Sequence, residues 1–91
     1  MKLEDALFNW LQIKIVSDAR PDDRAAEDTM MFFGKILEED HNITGLTIVE
    51  RKDTMIHICM EQDGEEQVKA FDREWAETLL KDINSNPKYN E

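Results

Sequence analysis

The chain has 91 residues, of which 21 are Asp or Glu and 11 are Lys or Arg, so its formal net charge at pH 7 is −10. This length suits one domain, and a hydrophobic content of 41% is too high for a wholly disordered acidic chain. The acidic balance argues against nucleic acid and against anionic membranes as partners, since both attract clustered Lys and Arg.

The first predicted helix covers residues 2–17 and is apolar on more than one side. Its apolar residues recur at helical spacing in several stripes, whereas a surface helix needs only one stripe of about 100°. The helix is therefore either central in the fold or partnered on one side by another molecule.

A second helix is predicted to begin near Pro21, a residue that suits the first turn of a helix. Ser17 or Asp18 could supply the N-cap. Asp23 would then lie in the first turn, where the helix dipole favours negative charge. This helix is expected to reach about Asp40.

The hydrophobic period then changes to two, which predicts an antiparallel meander of three strands. Asn42 is a candidate left-handed cap before the first strand, and Asp63-Gly64 predicts a type I′ turn before the third. A final helix is expected from Arg73 to about Ile83, with Trp75 and Ala76 on its apolar stripe. The three expected strands are residues 46–51, 54–62 and 65–71.

The predicted order is α-α-β-β-β-α, an α+β domain in which helices and a three-stranded antiparallel sheet form two layers. Residues 1–83 are expected to form this single domain, and residues 84–91 a flexible C-terminal tail. Strand alternation assigns one sheet face to the core, with Leu46, Ile48, Ile56, Ile58, Met60, Val68 and Ala70. The other face would carry Val49, Met55, His57, Cys59 and Lys69.

The leading functional hypothesis is a non-enzymatic protein-interaction module, bound to a protein partner or to a second copy of itself. It rests on the surplus apolar surface of the first helix and on a second sheet face that is neither plainly polar nor plainly apolar. The predicted interaction residues are Phe8, Leu11, Ile15, Val49, Met55 and Cys59.

Two alternatives stay open. An acidic inhibitor or immunity-type protein could block a basic site of its partner. A small metal or thiol protein could use His57 and Cys59, which lie two residues apart on one strand face, although a structural zinc needs four ligands. Because no further ligand or catalytic motif accompanies them, we expect no enzyme, no metal, no cofactor and no identifiable small-molecule substrate.

The sequence also predicts a cytoplasmic protein. A single cysteine suits a reducing compartment. The N-terminal stretch contains Glu4 and Asp5 where a signal peptide has a basic start and an apolar run. No segment approaches the roughly 20 apolar residues that span a bilayer.

Several features resemble small cytosolic proteins of Gram-positive bacteria whose function is unknown. They are the element order, the Asp-Gly turn, Phe71-Asp72 at the start of the last helix, and the stretches Trp10-Leu11-Gln12-Ile13-Lys14 and Ala19-Arg20-Pro21-Asp22-Asp23. The resemblance in the order of helices and strands extends over most of the chain. It implies a bacterial cytosolic protein and transfers no catalytic or binding residue.

Overall fold

The structure is a computed structural model, and it describes residues 1–85. The predicted α+β class and element order are confirmed, and the strands form an open antiparallel sheet in the order β1-β2-β3. Residues 84–85 of the predicted tail belong to the last helix, and residues 86–91 lie outside the described part. The elements are α1 (Leu3–Ala19), α2 (Arg24–His41), β1 (Ile43–Arg51), β2 (Met55–Gln62), β3 (Glu65–Asp72) and α3 (Arg73–Ser85).

The main core lies between the helices and one face of the sheet. This face presents Ile56, Ile58 and Met60 of β2, as predicted, and all three side chains are fully buried. They form one cluster with residues from all three helices, including Leu37 of α2 and Ala76 of α3. Burial of each large apolar side chain stabilises the fold by about 1.5–3 kcal/mol.

Helix α1 is central, which accounts for its excess of apolar residues. Leu7 and Leu11 belong to the cluster against the sheet, while Ile13 and Val16 belong to a second cluster with α2 and α3. One side of α1 therefore meets the sheet and the other meets the two flanking helices. No helix among residues 1–85 combines the length and the apolar character that crossing a membrane requires.

Helix α2 begins later than the sequence pattern predicts. Its N-cap is Asp23, whose Oδ1 accepts a hydrogen bond from the backbone N–H of Ala26 at 3.1 Å. The predicted caps, Ser17 and Asp18, still belong to α1. The reason is that the chain makes a turn around Pro21 before the helix starts, so the first carboxylate that can reach the free N–H groups is Asp23.

Left-handed residues mark the chain reversals. Asn42 is the C-cap of α2 with φ 55°, and Asp63 and Gly64 have φ values of 53° and 84°. The predicted cap and the predicted type I′ turn are both confirmed. Gly45, with φ 60°, lies inside β1 at an irregularity in its pairing with β2. The strand begins earlier than predicted because Ile43 and Thr44 already pair with β2.

The register of β2 and β3 corrects the predicted face of β3. Because the turn between these strands has only two residues, Cys59 lies opposite Val68 and His57 lies opposite Ala70. Directly opposed residues share a sheet face. Val68 and Ala70 therefore lie on the face of His57 and Cys59, and the prediction that they point into the core is wrong.

Lys69 takes the core-side position that was predicted for its two neighbours. It lies opposite Ile58, and its Nζ reaches to 3.8 Å from a carboxylate oxygen of Glu4 in α1. A lysine can occupy such a position because its aliphatic stem packs while its charged end extends to the rim of the core. The predicted place of Lys69 on the other face is therefore also wrong.

Candidate functional site

The candidate site is the sheet face opposite the helices, which we call the outer face. None of its apolar side chains belongs to either core cluster of the described residues. Val68, on the edge strand β3, keeps 58% of its surface exposed. By register the outer face contains Thr44, Glu61 and Glu66, then Thr47, Cys59 and Val68, then Glu50, His57 and Ala70, and finally Met55 and Asp72.

A bulge in β1 adds Val49 to one end of the outer face. Ile48 lies opposite Ile58 and Glu50 lies opposite His57, so Val49 is an extra residue without a register partner. Its side chain is 54% exposed. A bulge of this kind bends the edge strand and turns an apolar side chain to the surface.

The predicted interaction residues on the first helix are corrected to core residues. Leu11 and Ile15 are only 0% and 3% exposed. Phe8 is half-buried, and its ring centroid lies 6.1 Å from that of Phe71. The sheet and the other two helices enclose Leu11 and Ile15, which offer no free surface in the monomer, and Phe8 packs against the same cluster with only part of its surface accessible.

The predicted interaction residues on the sheet remain accessible. Met55 and Cys59 are half-buried on the outer face, and Val49 is exposed beside them. The sequence interpretation missed Val68 and Ala70, which belong to the same surface. The signal that could have identified them is the two-residue Asp63-Gly64 turn, since counting outward from it fixes the register of β3.

Cys59 is held as a thiol. Its Sγ donates a hydrogen bond to Oε1 of Glu66 at 3.4 Å. Partial burial raises the pKa of the Cys59 thiol, and this hydrogen bond and the negative charges of Glu66 and Glu61 raise it further. A reactive cysteine needs the opposite arrangement, with a cation or a helix N-terminus that lowers the pKa.

His57 lies beside Cys59 on β2 without a close polar partner. Its Nδ1 is shielded from solvent and has no hydrogen-bond partner among the described residues. The nearest carboxylate oxygen, from Glu50, is 3.8 Å away. Within residues 1–85, no three His, Cys, Asp or Glu side chains are gathered in a way that could hold a metal ion.

The outer face is acidic as well as apolar. Glu61 and Glu66 lie directly opposite one another near the hairpin turn, and Glu50 lies towards the other end. Asp72 is engaged as the N-cap of α3, where it accepts from the N–H of Trp75 at 3.0 Å. The rows that form the outer face contain no Lys or Arg. Glu50 is approached from outside these rows by Lys52, whose Nζ lies 3.7 Å from its Oε1.

Other exposed apolar residues lie on the helices. Met31 and Phe32 of α2 are 62% and 59% exposed, and Trp75 of α3 is 70% exposed. Trp75 was expected on the buried stripe of the last helix, and that expectation is wrong. Consecutive helical residues point about 100° apart, so the rotation that buries Ala76 turns Trp75 outward.

Comparison of the chain with protein families, with curated proteins and with solved structures finds no match. No relative therefore supplies site residues that could be transferred to this chain. The outer face combines accessible apolar side chains with two carboxylates, Glu61 and Glu66, that no Lys or Arg of residues 1–85 approaches within 4.0 Å.

Proposed function

We propose that the protein is a non-enzymatic protein-interaction module that binds a protein partner through the outer face of its sheet. The observation that supports this proposal is the pair Val49 and Val68, both more than half exposed on a sheet face outside the core clusters. Antiparallel sheets can leave one face in water, and that face is then usually polar. Accessible valines beside Met55 and Cys59 favour a contact surface instead.

The chemistry of His57 and Cys59 favours contact over catalysis. A raised pKa keeps the Cys59 thiol protonated at neutral pH, which makes it a poor nucleophile and a poor metal ligand. Catalysis by a thiol would also need a base within hydrogen-bond reach. Burial raises the thiol pKa most, and the hydrogen-bond partner of Cys59, the carboxylate of Glu66, raises it further, because its negative charge opposes a thiolate that an imidazolium would stabilise.

We further propose that the protein acts in the cytoplasm. A free, half-buried cysteine is compatible with a reducing compartment. The chain's net charge of −10 keeps a small domain soluble while one of its faces remains apolar.

The proposal can be tested with two matched double variants. Val49→Ser with Val68→Ser removes the exposed valines of the outer face, and Met31→Ser with Phe32→Ser removes two equally exposed residues of α2. Circular dichroism and thermal melts establish that both variants fold. Light scattering across a dilution series then measures self-association, and affinity capture from native lysate of the source organism measures partner binding.

We expect the wild type and the α2 variant to retain the same partner or the same dimer. The outer-face variant should lose it, with at least a tenfold drop in affinity, because two apolar contacts are removed. If all three proteins behave alike, the outer face is not the interaction surface and the proposal is wrong.

A further inference from the structure

The outer face holds a pair of carboxylates that no cation among residues 1–85 neutralises. Glu61 and Glu66 are directly opposed in the register of β2 and β3. Like charges in this position destabilise a sheet. In the part of the chain that the structure describes, no Lys or Arg lies within 4.0 Å of either carboxylate.

The pair adjoins accessible apolar residues of the same face. Cys59 and Val68 form the next row along the strands, at half-buried and exposed positions. The hydrogen bond from Cys59 to Glu66 ties the two rows together at 3.4 Å. A ligand that covered Val68 would therefore also cover, and partly desolvate, the two carboxylates.

We infer that the outer face binds a basic segment of a partner protein, which places an arginine or lysine between Glu61 and Glu66 and apolar side chains over Val68 and Cys59. This inference rests on the proposed function. A guanidinium suits the position because its fork of N–H donors can bond carboxylate oxygens on two strands at once. Such a cation would remove a repulsion that the free protein contains.

Charge complementarity argues against a second copy of this chain as the occupant. A symmetric dimer on this face would set the Glu61 and Glu66 pair of each copy against the same acidic face of the other copy. The rows of the face offer no Lys or Arg to pair with them. Like charges facing one another across an interface suppress that partner.

The size of the face leads to the same conclusion. Three strands about 4.8 Å apart and eight residues long span roughly 14 by 26 Å, or about 370 Å² in projection. The face is about as wide as one helix with its side chains and as long as a helix of about 17 residues, so it suits a segment better than a whole subunit.

The test uses random peptides as the probe. A displayed library of peptides of about 17 residues is selected on the immobilised full-length protein, and the Arg and Lys content of the selected pool is compared with that of the input. The strongest binders are then synthesised, together with versions in which every Arg and Lys becomes Glu. Titration at low and at physiological salt gives their dissociation constants.

The variants separate charge from apolar contact. Glu61→Gln with Glu66→Gln removes the carboxylate pair, and Glu38→Gln with Glu39→Gln removes the same charge from an exposed part of α2. We expect selected peptides enriched in Arg and Lys, with affinity reduced about fivefold to tenfold by the first change and little altered by the second. Added salt should weaken wild-type binding and have less effect on the first variant.

Each contrary outcome identifies which proposal fails. Peptides that lose affinity with Val49→Ser and Val68→Ser, but carry no excess of Arg and Lys, overturn the basic partner and leave the proposed function standing. A dimer abolished by the same two serines makes a second copy the occupant, which also overturns the inference. Peptides that bind this variant as well as wild type, or a selection without specific binders, contradict both proposals.

Discussion

Glu61 of β2 and Glu66 of β3 face one another across the outer side of the sheet, and the thiol of Cys59 lies within hydrogen-bond distance of the second carboxylate. The three side chains are electrostatically coupled. Partial burial raises the pKa of the thiol most, and the hydrogen bond to Glu66 and the charges of Glu66 and Glu61 raise it further. The reactivity of Cys59 therefore reports on whether this corner of the outer face is formed and charged.

Replacing Glu66 with Gln should make Cys59 more reactive. The amide oxygen can still accept the thiol hydrogen bond, but the negative charge is gone, so the thiol pKa falls and more thiolate is present at a given pH. The measurement is the rate of alkylation by iodoacetamide as a function of pH. The midpoint of the profile should move to lower pH than in the wild type.

Glu65→Gln is the control for this experiment. Glu65 precedes Glu66 on β3 and lies opposite Gln62, on the other face of the sheet. Its loss changes the net charge equally and should leave the midpoint for Cys59 almost unchanged. Equal shifts in both variants would mean that net charge, and not the local carboxylate, controls the thiol.

Asp23→Ala should destabilise the protein by about 1 kcal/mol, because α2 loses its N-cap hydrogen bond to Ala26. Asp23→Asn should cost much less, since asparagine caps helices about as well as aspartate. Urea unfolding at neutral pH measures both differences. An alanine variant as stable as the wild type would show that the cap contributes nothing.

The same residue predicts a pH dependence. The hydrogen bond from the Ala26 backbone is the largest cause of the lowered pKa of Asp23, and Arg20 lowers it further. The contribution of its charge is complete above the unfolded-state pKa of about 3.9 and is lost as pH falls through the lower folded-state value. The stability advantage of wild type over Asp23→Asn should therefore shrink below about pH 4 and stay constant above about pH 5.

Leu11→Ala should cost about 2–5 kcal/mol, because the side chain is fully enclosed between the sheet and the helices. Val68→Thr, on the outer face, should change stability by no more than about 0.5 kcal/mol. Chemical denaturation of both variants gives the comparison. A mild effect at Leu11 would return the first helix to the set of candidate interaction surfaces.

The structure explains which sequence predictions were correct. Short motifs whose residue types favour one backbone conformation were predicted correctly. Asn42 and the Asp63-Gly64 turn have the positive φ angles that their residue types favour. Strand alternation also identified the core face of β2, where every second residue is a large aliphatic.

Two features could not be obtained from periodicity alone. In β3 the apolar residues Val68, Ala70 and Phe71 fit either face, so only the register imposed by the turn decides between the two. Helix α1 is apolar on several sides because α2 and α3 cover the side that the sheet leaves open. That is a tertiary arrangement, and a helical wheel cannot distinguish it from a surface that binds another protein.

The two tryptophans provide an optical test of the fold. Trp10 is 6% exposed in the core and Trp75 is 70% exposed on α3. We expect the emission of the wild type to contain a blue-shifted component and a red-shifted component that acrylamide quenches readily. Trp75→Phe should remove the quenchable component and leave stability nearly unchanged, whereas a quenchable spectrum in that variant would contradict the burial of Trp10.

Glu61→Lys should stabilise the free protein and abolish its binding to basic segments. The substitution converts a directly opposed pair of like charges into an opposite-charge pair with Glu66, which is worth about 0.2–1 kcal/mol in a sheet. The same lysine would repel the arginine or lysine of the proposed partner. Thermal unfolding and peptide titration on one sample measure both effects.

The opposite signs of the two effects make the test specific. A substitution that merely damaged the sheet would lower both stability and affinity, and one without a role would change neither. Higher stability with unchanged peptide affinity would show that the Glu61 and Glu66 pair takes no part in binding the partner. Higher stability with lost binding would mean that the repulsion between Glu61 and Glu66 is kept in the free protein because a partner's cation relieves it.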